Sequence, residues 1–213
     1  MVPLTSSEYT VESTKDFVRR VNGKVVEKGF KMVSFDVSSL FTNVPLDFTI
    51  ELILDKVYND QLVNTKLQRE ELKELLNLCT KEMHFSFNGQ IFQQVDGVAM
   101  GNPLGPVLAN IFMVELECQI NPTLKDKMPL WFRYVDDTFT FIKENEIQNV
   151  LNVLNSFHAD IKFTHEIEKN GCISFLDVKI TKMEDGSLVR EILRKQITTF
   201  TCTGNLSLLT YGK

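Results

Sequence analysis

Apolar residues recur along this chain with two periods, and the switches between them mark out its elements. Alternation or a short apolar run reads as strand, and a spacing of about 3.6 residues reads as helix. After an irregular arm over residues 1–14, Thr14 to Val21 predicts a helix capped by Ser13 or Thr14. Phe30 to Val37 predicts a strand. Pro45 suits a first helical turn, and Leu46, Ile50, Ile53, Leu54 and Val57 draw one face of the helix that follows. Leu67 to Met83 predicts a second helix, with Leu72, Leu75, Leu76 and Cys79 inward. Phe85 to Gln94 reads as a hairpin about Asn88-Gly89, a pair suited to a two-residue turn.

Gly97 to Pro106 is a loop rich in glycine and proline that runs into a helix over Leu104 to Ile120. Leu130 to Lys143 predicts another hairpin, with Asp136-Asp137 at its turn. Glu144 to Phe157 is helical through Ile147, Val150, Leu151 and Leu154. Strands follow at Ile161 to Ile167, Cys172 to Thr181 and Leu188 to Leu193, parted by turns at Lys169-Asn170-Gly171 and Glu184-Asp185-Gly186. The expected class is α+β, a mainly antiparallel sheet covered on one face by helices.

Composition adds little to that picture. The 213 residues allow one large domain or two small ones, and 43% hydrophobic with 24% charged is ordinary for a soluble fold. Sixteen Phe against one Trp and four Tyr predict a core of phenyl rings. No apolar run reaches membrane length, and the start lacks a charged region followed by an apolar stretch, so no membrane and an intracellular location are expected. Cys79, Cys118, Cys172 and Cys202 form no CxxC pair, and Cys79 and Cys118 fall at apolar helical positions. They read as reduced core thiols rather than disulfides or zinc ligands.

The informative chemistry is acidic. Two adjacent carboxylates at a tight turn between apolar strands repel, and one is driven toward its protonated form unless something neutralises it. A divalent cation such as magnesium is the usual partner for such hard oxygens. A solvated turn is the plain alternative, because Asp is a common turn residue. Asp36 tips the balance. It closes the apolar run KMVSFDV, a costly place for an unpaired charge. If its strand lies beside the Asp-Asp hairpin, the carboxylates converge as a set able to hold two metal ions about 3.5–4 Å apart.

Asp36 with Phe41, then GVAMGNPLGPVLANIFM at 97–113, then RYVDD, follow the order and spacing of a reverse transcriptase palm. SFDVSSLFTNVP, RYVDDTF, IKFTHE and ISFLDVKI resemble in particular the reverse transcriptase domain of Penelope-like retroelements, relatives of telomerase reverse transcriptase. The resemblance runs from about Tyr9 to about Thr201 and rests on long motifs. It implies an N-terminal arm and finger remnant over 1–29, a palm over 30–201 and a truncated tail over 202–213. It implies two-metal transfer of a nucleotide from a dNTP to a DNA primer on an RNA template, with two Mg2+ ions, Mn2+ being an alternative. The location implied is nuclear when the chain is part of a full-length element.

Residue by residue, the resemblance makes Asp36, Asp136 and Asp137 catalytic. Asp36 and Asp136 bind both metals with the Val37 carbonyl, and Asp137 contributes more weakly. Phe41 lies under the incoming sugar and excludes a 2′-hydroxyl, which disfavours an RNA-directed RNA polymerase; its other reading is a core phenylalanine. Gly97, Met100, Gly101 and Tyr134 line the substrate site, with Met100 standing where many relatives carry Gln. Phe175, Leu176 and Asp177 resemble the primer grip, against the alternative of a plain buried strand. Lys162 and Lys169 are weaker candidates for protonating pyrophosphate.

Departures qualify this reading. Gln196 replaces the Pro of an RKPT stretch, and the basic finger strands, a helical thumb and an endonuclease region are missing. The net charge is −5, with +3 between Ser187 and Lys213 and −8 elsewhere. Phosphate binding wants Lys and Arg, so nucleic-acid-binding parts are expected outside this chain. The alternative function is a catalytically incompetent palm fragment acting as a nucleic-acid-binding or assembly module.

Overall fold

Phe30–Val37 forms β1, the strand on which the rest is organised. The computed structural model describes residues 4–60, 65–81, 83–95, 97–99 and 101–193. β1 lies in a four-stranded antiparallel sheet with β4 (Trp131–Tyr134), β5 (Asp137–Lys143) and β6 (Phe163–Ile167), in the order β4-β5-β1-β6. Side chains alternate across a strand, and both faces of this sheet are covered. Val33, Phe35 and Val37 face one core cluster; Phe30 and Met32 face another.

The first cluster packs under helices. α3 (Leu46–Tyr58) buries Leu46, Ile50, Ile53, Leu54 and Val57, the full predicted stripe. α5 (Gly105–Leu124) contributes Leu108, Phe112, Met113 and Leu116, and α6 (Ile147–Ser156) contributes Ile147, Val150 and Leu154. α5 outruns the expected helix by a turn, with Pro122 inside its last turn. A one-turn helix, α2 (Leu40–Asn43), follows β1 directly.

The opposite face of the sheet is closed by α1 (Thr14–Val21), capped by Ser13, and by a second sheet. Phe17 of α1 is fully buried, with its ring 5.3 Å from Phe139 and 4.7 Å from Phe175. Truncating such a ring costs about 3–5 kcal/mol, and Phe30, Phe132 and Phe141 belong to the same cluster. The second sheet holds β7 (Cys172–Phe175), β8 (Val178–Lys182) and β9 (Leu188–Ile192) in that order. The single strand expected over Cys172 to Thr181 is therefore a hairpin, broken at Leu176-Asp177, where both residues take positive φ. No Gly or Asn marks that turn, so pattern alone passed over it.

Two further expectations change. α4 (Arg69–Lys81) half-buries Leu72 and Leu76, while Leu75 is 46% exposed and Cys79 is exposed. Ion pairs tie α4 to α3, from Arg69 to Glu51 and Asp55 and from Lys73 to Glu51, so only a narrow stripe turns inward. Cys118 is exposed too, on the outer side of α5; the cysteines are free thiols but not core ones, and Cys202 lies outside the described residues. The hairpin β2 (His84–Phe87) and β3 (Gln90–Gln93) forms as expected about Asn88 and Gly89, but among the described residues it pairs only with itself, and it is exposed along both strands.

Candidate active site

Register builds the site. β1 runs antiparallel to β5 with Phe35 opposite Thr138, and to β6 with Asp36 opposite Thr164. Asp36 is exposed between buried Phe35 and Val37, pointing to the opposite side of the strand one residue before its end. Val37 has a buried side chain and pairs with Phe163, fixing its backbone.

β4 and β5 join through Val135 and Asp136 alone, closed by the Tyr134–Asp137 pair. Val135 has φ 58°. A β-branched residue is strained there, and only a fixed surrounding keeps such a conformation. The turn lifts Asp136 and Asp137, both half-buried, toward the end of β1. Tyr134 is 38% exposed.

Asp36 and Asp137 line a cleft of about 400 Å³, together with Ser34, Thr164, His165 and Glu166. Its far wall is the β7–β8 turn: Phe175, Leu176 and Asp177. Thr14 donates its hydroxyl to the Leu176 carbonyl (3.2 Å), and the Leu193 amide donates to the Asp177 carbonyl (2.8 Å). Anchoring from both sides holds a turn in which Leu176 (φ 49°) is strained, while Asp177 (φ 60°) is of a type that tolerates the left-handed region.

The glycine-rich loop crosses α2. The Val98 amide donates to the Phe41 carbonyl (2.8 Å), and a Cβ on Gly105 would stand 3.7 Å from the half-buried Phe41 ring. Gly97 is buried against Thr42 so closely that a Cβ would meet its carbonyl oxygen at 2.1 Å. Gly97 borders a second groove, with Thr42, Pro45 and His158, rather than the carboxylate cleft. Gly101 is exposed with φ 90°, and Met100 lies outside the described residues. Lys162 and Lys169 are exposed.

The carboxylates feel one another. Burial and then the Asp136 charge raise the Asp36 carboxyl above its ordinary value. Burial, Asp136 and Asp36 push Asp137 up to about 6. Crowded hard oxygens with raised affinity for protons are a donor set whose repulsion a divalent cation relieves, so the residues suit magnesium or manganese. Among the described residues, no three His, Cys, Asp or Glu side chains are grouped as a ready metal site.

Sequence reading passed over Arg133 and its partners. Arg133 is wholly buried behind the turn and paired with buried Glu117 (2.6 Å). An Arg inside an apolar hairpin needs a buried acid, and Glu117 amid the apolar run of α5 was the available signal.

A sheet carrying an aspartate on a central strand and two more on the adjacent hairpin, with most of its helices packed on one face, is a polymerase palm-like fold. The reverse transcriptase (RNA-dependent DNA polymerase) family matches residues 9–182, and the chain belongs to that family. No curated protein matches it by sequence. Among solved structures it is similar to Candida albicans telomerase in complex with a TWJ fragment of telomeric RNA: TM-score 0.66, 13% identity, covering 90% of this chain and 36% of that one. Candida tropicalis telomerase with the same kind of fragment gives TM-score 0.63 at 14% identity, covering 93% of this chain and 36% of that one. The BmCPV RNA-dependent RNA polymerase at elongation state gives 0.51 at 12%, covering 80% of this chain and 17% of that one. The chain thus spans little more than a third of the telomerases it matches.

Proposed function

We propose that this chain is the palm of an RNA-directed DNA polymerase of Penelope-like type, joining a dNTP to a DNA primer 3′-hydroxyl on an RNA template. The observation that carries this is the convergence of Asp36 with the Asp136-Asp137 turn on adjacent strands, with their charges coupled. Asp36 and Asp136 would hold magnesium with the Val37 carbonyl, and Asp137 would add charge beside them. When bound, two such ions lower the pKa of the attacking hydroxyl and steady the leaving phosphates.

The chain's own residues supply position. The Leu176-Asp177 turn, across the cleft from Asp36, would press the primer end toward the carboxylates, as its anchoring supports. Phe41, with Gly105 beside its ring, would present that ring to the sugar. Membership of the family supports the RNA template, and the telomerase neighbours solved with telomeric RNA fit that assignment.

A palm that binds nucleic acid without catalysis is the second reading, favoured by a net charge of −5, poor in the Lys and Arg that would hold a triphosphate. RNA-templated primer extension separates the two, assayed with this chain alone and with finger and thumb regions appended. Robust extension is expected only in the completed protein and is lost in Asp36→Asn and in Asp136→Asn. Template-dependent extension that survives both substitutions overturns the assignment.

A further inference from the structure

We propose that Arg133 is a positioning residue that holds the carboxylate turn in shape from behind, resting on the reading of Asp36 and Asp136 as metal ligands. Its Nε donates to Glu117 Oε1 (2.6 Å), and its Nη1 donates both to Asn110 Oδ1 (3.0 Å) and to the Val135 carbonyl (3.1 Å). The last bond grips the residue with the strained φ of 58°, one position before Asp136. Arg133 Nη2 adds longer contacts to Thr10 Oγ1 and Glu117 Oε2 (both 3.4 Å), and only the wide planar fork of a guanidinium, not the single nitrogen of an ammonium, spans acceptors so spread out.

The anchor is itself fixed. Glu117 also accepts from the Trp131 indole (3.1 Å) and the Ser7 hydroxyl (2.6 Å). The Arg133 backbone is bracketed by the N-terminal arm, its amide donating to Tyr9 (2.9 Å) and its carbonyl accepting from Val11 (2.7 Å). Stability alone does not account for the ion pair, since apolar residues of like volume often hold a core as well or better than a buried pair. Its distinctive product is the bond to Val135. Strain at that turn then persists because α5 and the arm jointly fix the guanidinium, which holds the backbone that carries Asp136 and Asp137.

The test uses the full chain with two readouts, amide hydrogen exchange at residues 134–137 and manganese binding followed by the free-ion paramagnetic signal. Asn110→Ala removes one anchor and leaves the Arg133–Glu117 pair whole. Arg133→Lys keeps a charge for Glu117 but cannot also reach Val135. Both should speed exchange in the turn by about five- to tenfold, the worth of one net hydrogen bond, while β1 and β6 keep their protection. Manganese binding should weaken by a similar factor. Turn exchange like that of the wild type in both variants overturns the brace, as does loosening spread evenly over β1, β5 and β6. Unchanged manganese affinity in both, where Asp36→Asn/Asp136→Asn abolishes binding, uncouples the brace from the site and overturns the proposal. If that double variant binds manganese normally, the metal reading falls instead, and the exchange data alone judge Arg133.

Discussion

Phe35 pairs with Thr138 across β1 and β5, and the next residue toward the sheet's end is an aspartate on each strand, Asp36 and Asp137. The side-chain period of a strand is two, so a slip of one residue would turn Asp36 into the core face where Phe35 now sits. That is prohibitive for a charge, and burial of Phe35 and Val37 in the helix-covered core enforces the register. Hydrophobic burial thus sets the position of the chemistry.

Metal binding should follow from that register. A ligand present at about a hundredfold its Kd adds about 2.7 kcal/mol to the folded state, or about 5–10 °C in a domain of this size. Titrating manganese should raise the melting temperature of the wild type by an amount in this range and leave Asp36→Asn/Asp136→Asn nearly unmoved. Equal shifts in the two proteins would contradict a site made by these carboxylates.

Acidity gives an independent check in metal-free protein. Asp137 has a folded value of about 6 against an ordinary 3.8, so between those pH values the native state keeps a proton that the unfolded chain has lost. Stability from this group is therefore lost as pH rises through the window, and the penalty is complete above it. Asp36 is shifted in the same direction. With a chelator present, Asp137→Asn should gain stability over the wild type progressively from about pH 4 to about pH 7 by denaturant unfolding. A difference that stays constant across this range would show that Asp137 ionises freely.

Much of this was legible in the chain, and the misses have physical causes. β1 is read off to the residue because its apolar run is bounded, and α3 because Leu46, Ile50, Ile53, Leu54 and Val57 have no competing partner. Asp36, Asp136 and Asp137 stood out as charges in apolar contexts, which is where local pattern and function conflict. α4 misled because tertiary placement, with ion pairs to α3, decides which of its leucines turn inward. The β7–β8 turn escaped the pattern because Leu176 is a poor residue for positive φ and Asp177, though a good turn residue, stands alone in an apolar stretch; Thr14 and Leu193 anchor the bend from outside. Arg133 and Glu117, far apart in sequence, meet only once the hairpin lies against α5.

Two glycines of the loop should respond very differently to a methyl group. Gly97 combines φ 68° with a Cβ position 2.1 Å from the Thr42 carbonyl oxygen, and backbone cannot yield as a side chain would. Gly97→Ala should cost about 3 kcal/mol or more, adding overpacking to backbone strain. Gly101 has φ 90° but open space around it, so Gly101→Ala should cost only about 1–2 kcal/mol. Urea midpoints of the two variants settle the order; similar losses would mean that the loop does not pack on α2 as described.

The proposed role of Phe41 in choosing deoxyribonucleotides can be tested directly. The Phe41 ring is half-buried beside Gly105, so it has both a packing role and a free side. Phe41→Ala should therefore destabilise the chain, by less than the ~3–5 kcal/mol of a fully buried ring. In a completed, active polymerase it should also open space for a 2′-hydroxyl. Ribonucleotide use should then rise relative to deoxyribonucleotide use, whereas Phe41→Tyr, which keeps the ring, should change little. Stability loss lowers the amount of active enzyme for both nucleotides alike, so the ratio of their kcat/KM values is free of it. A Phe41→Ala enzyme with lower activity on both and an unchanged ratio would make Phe41 a core residue only, and the choice between DNA and RNA synthesis would have to rest on other contacts.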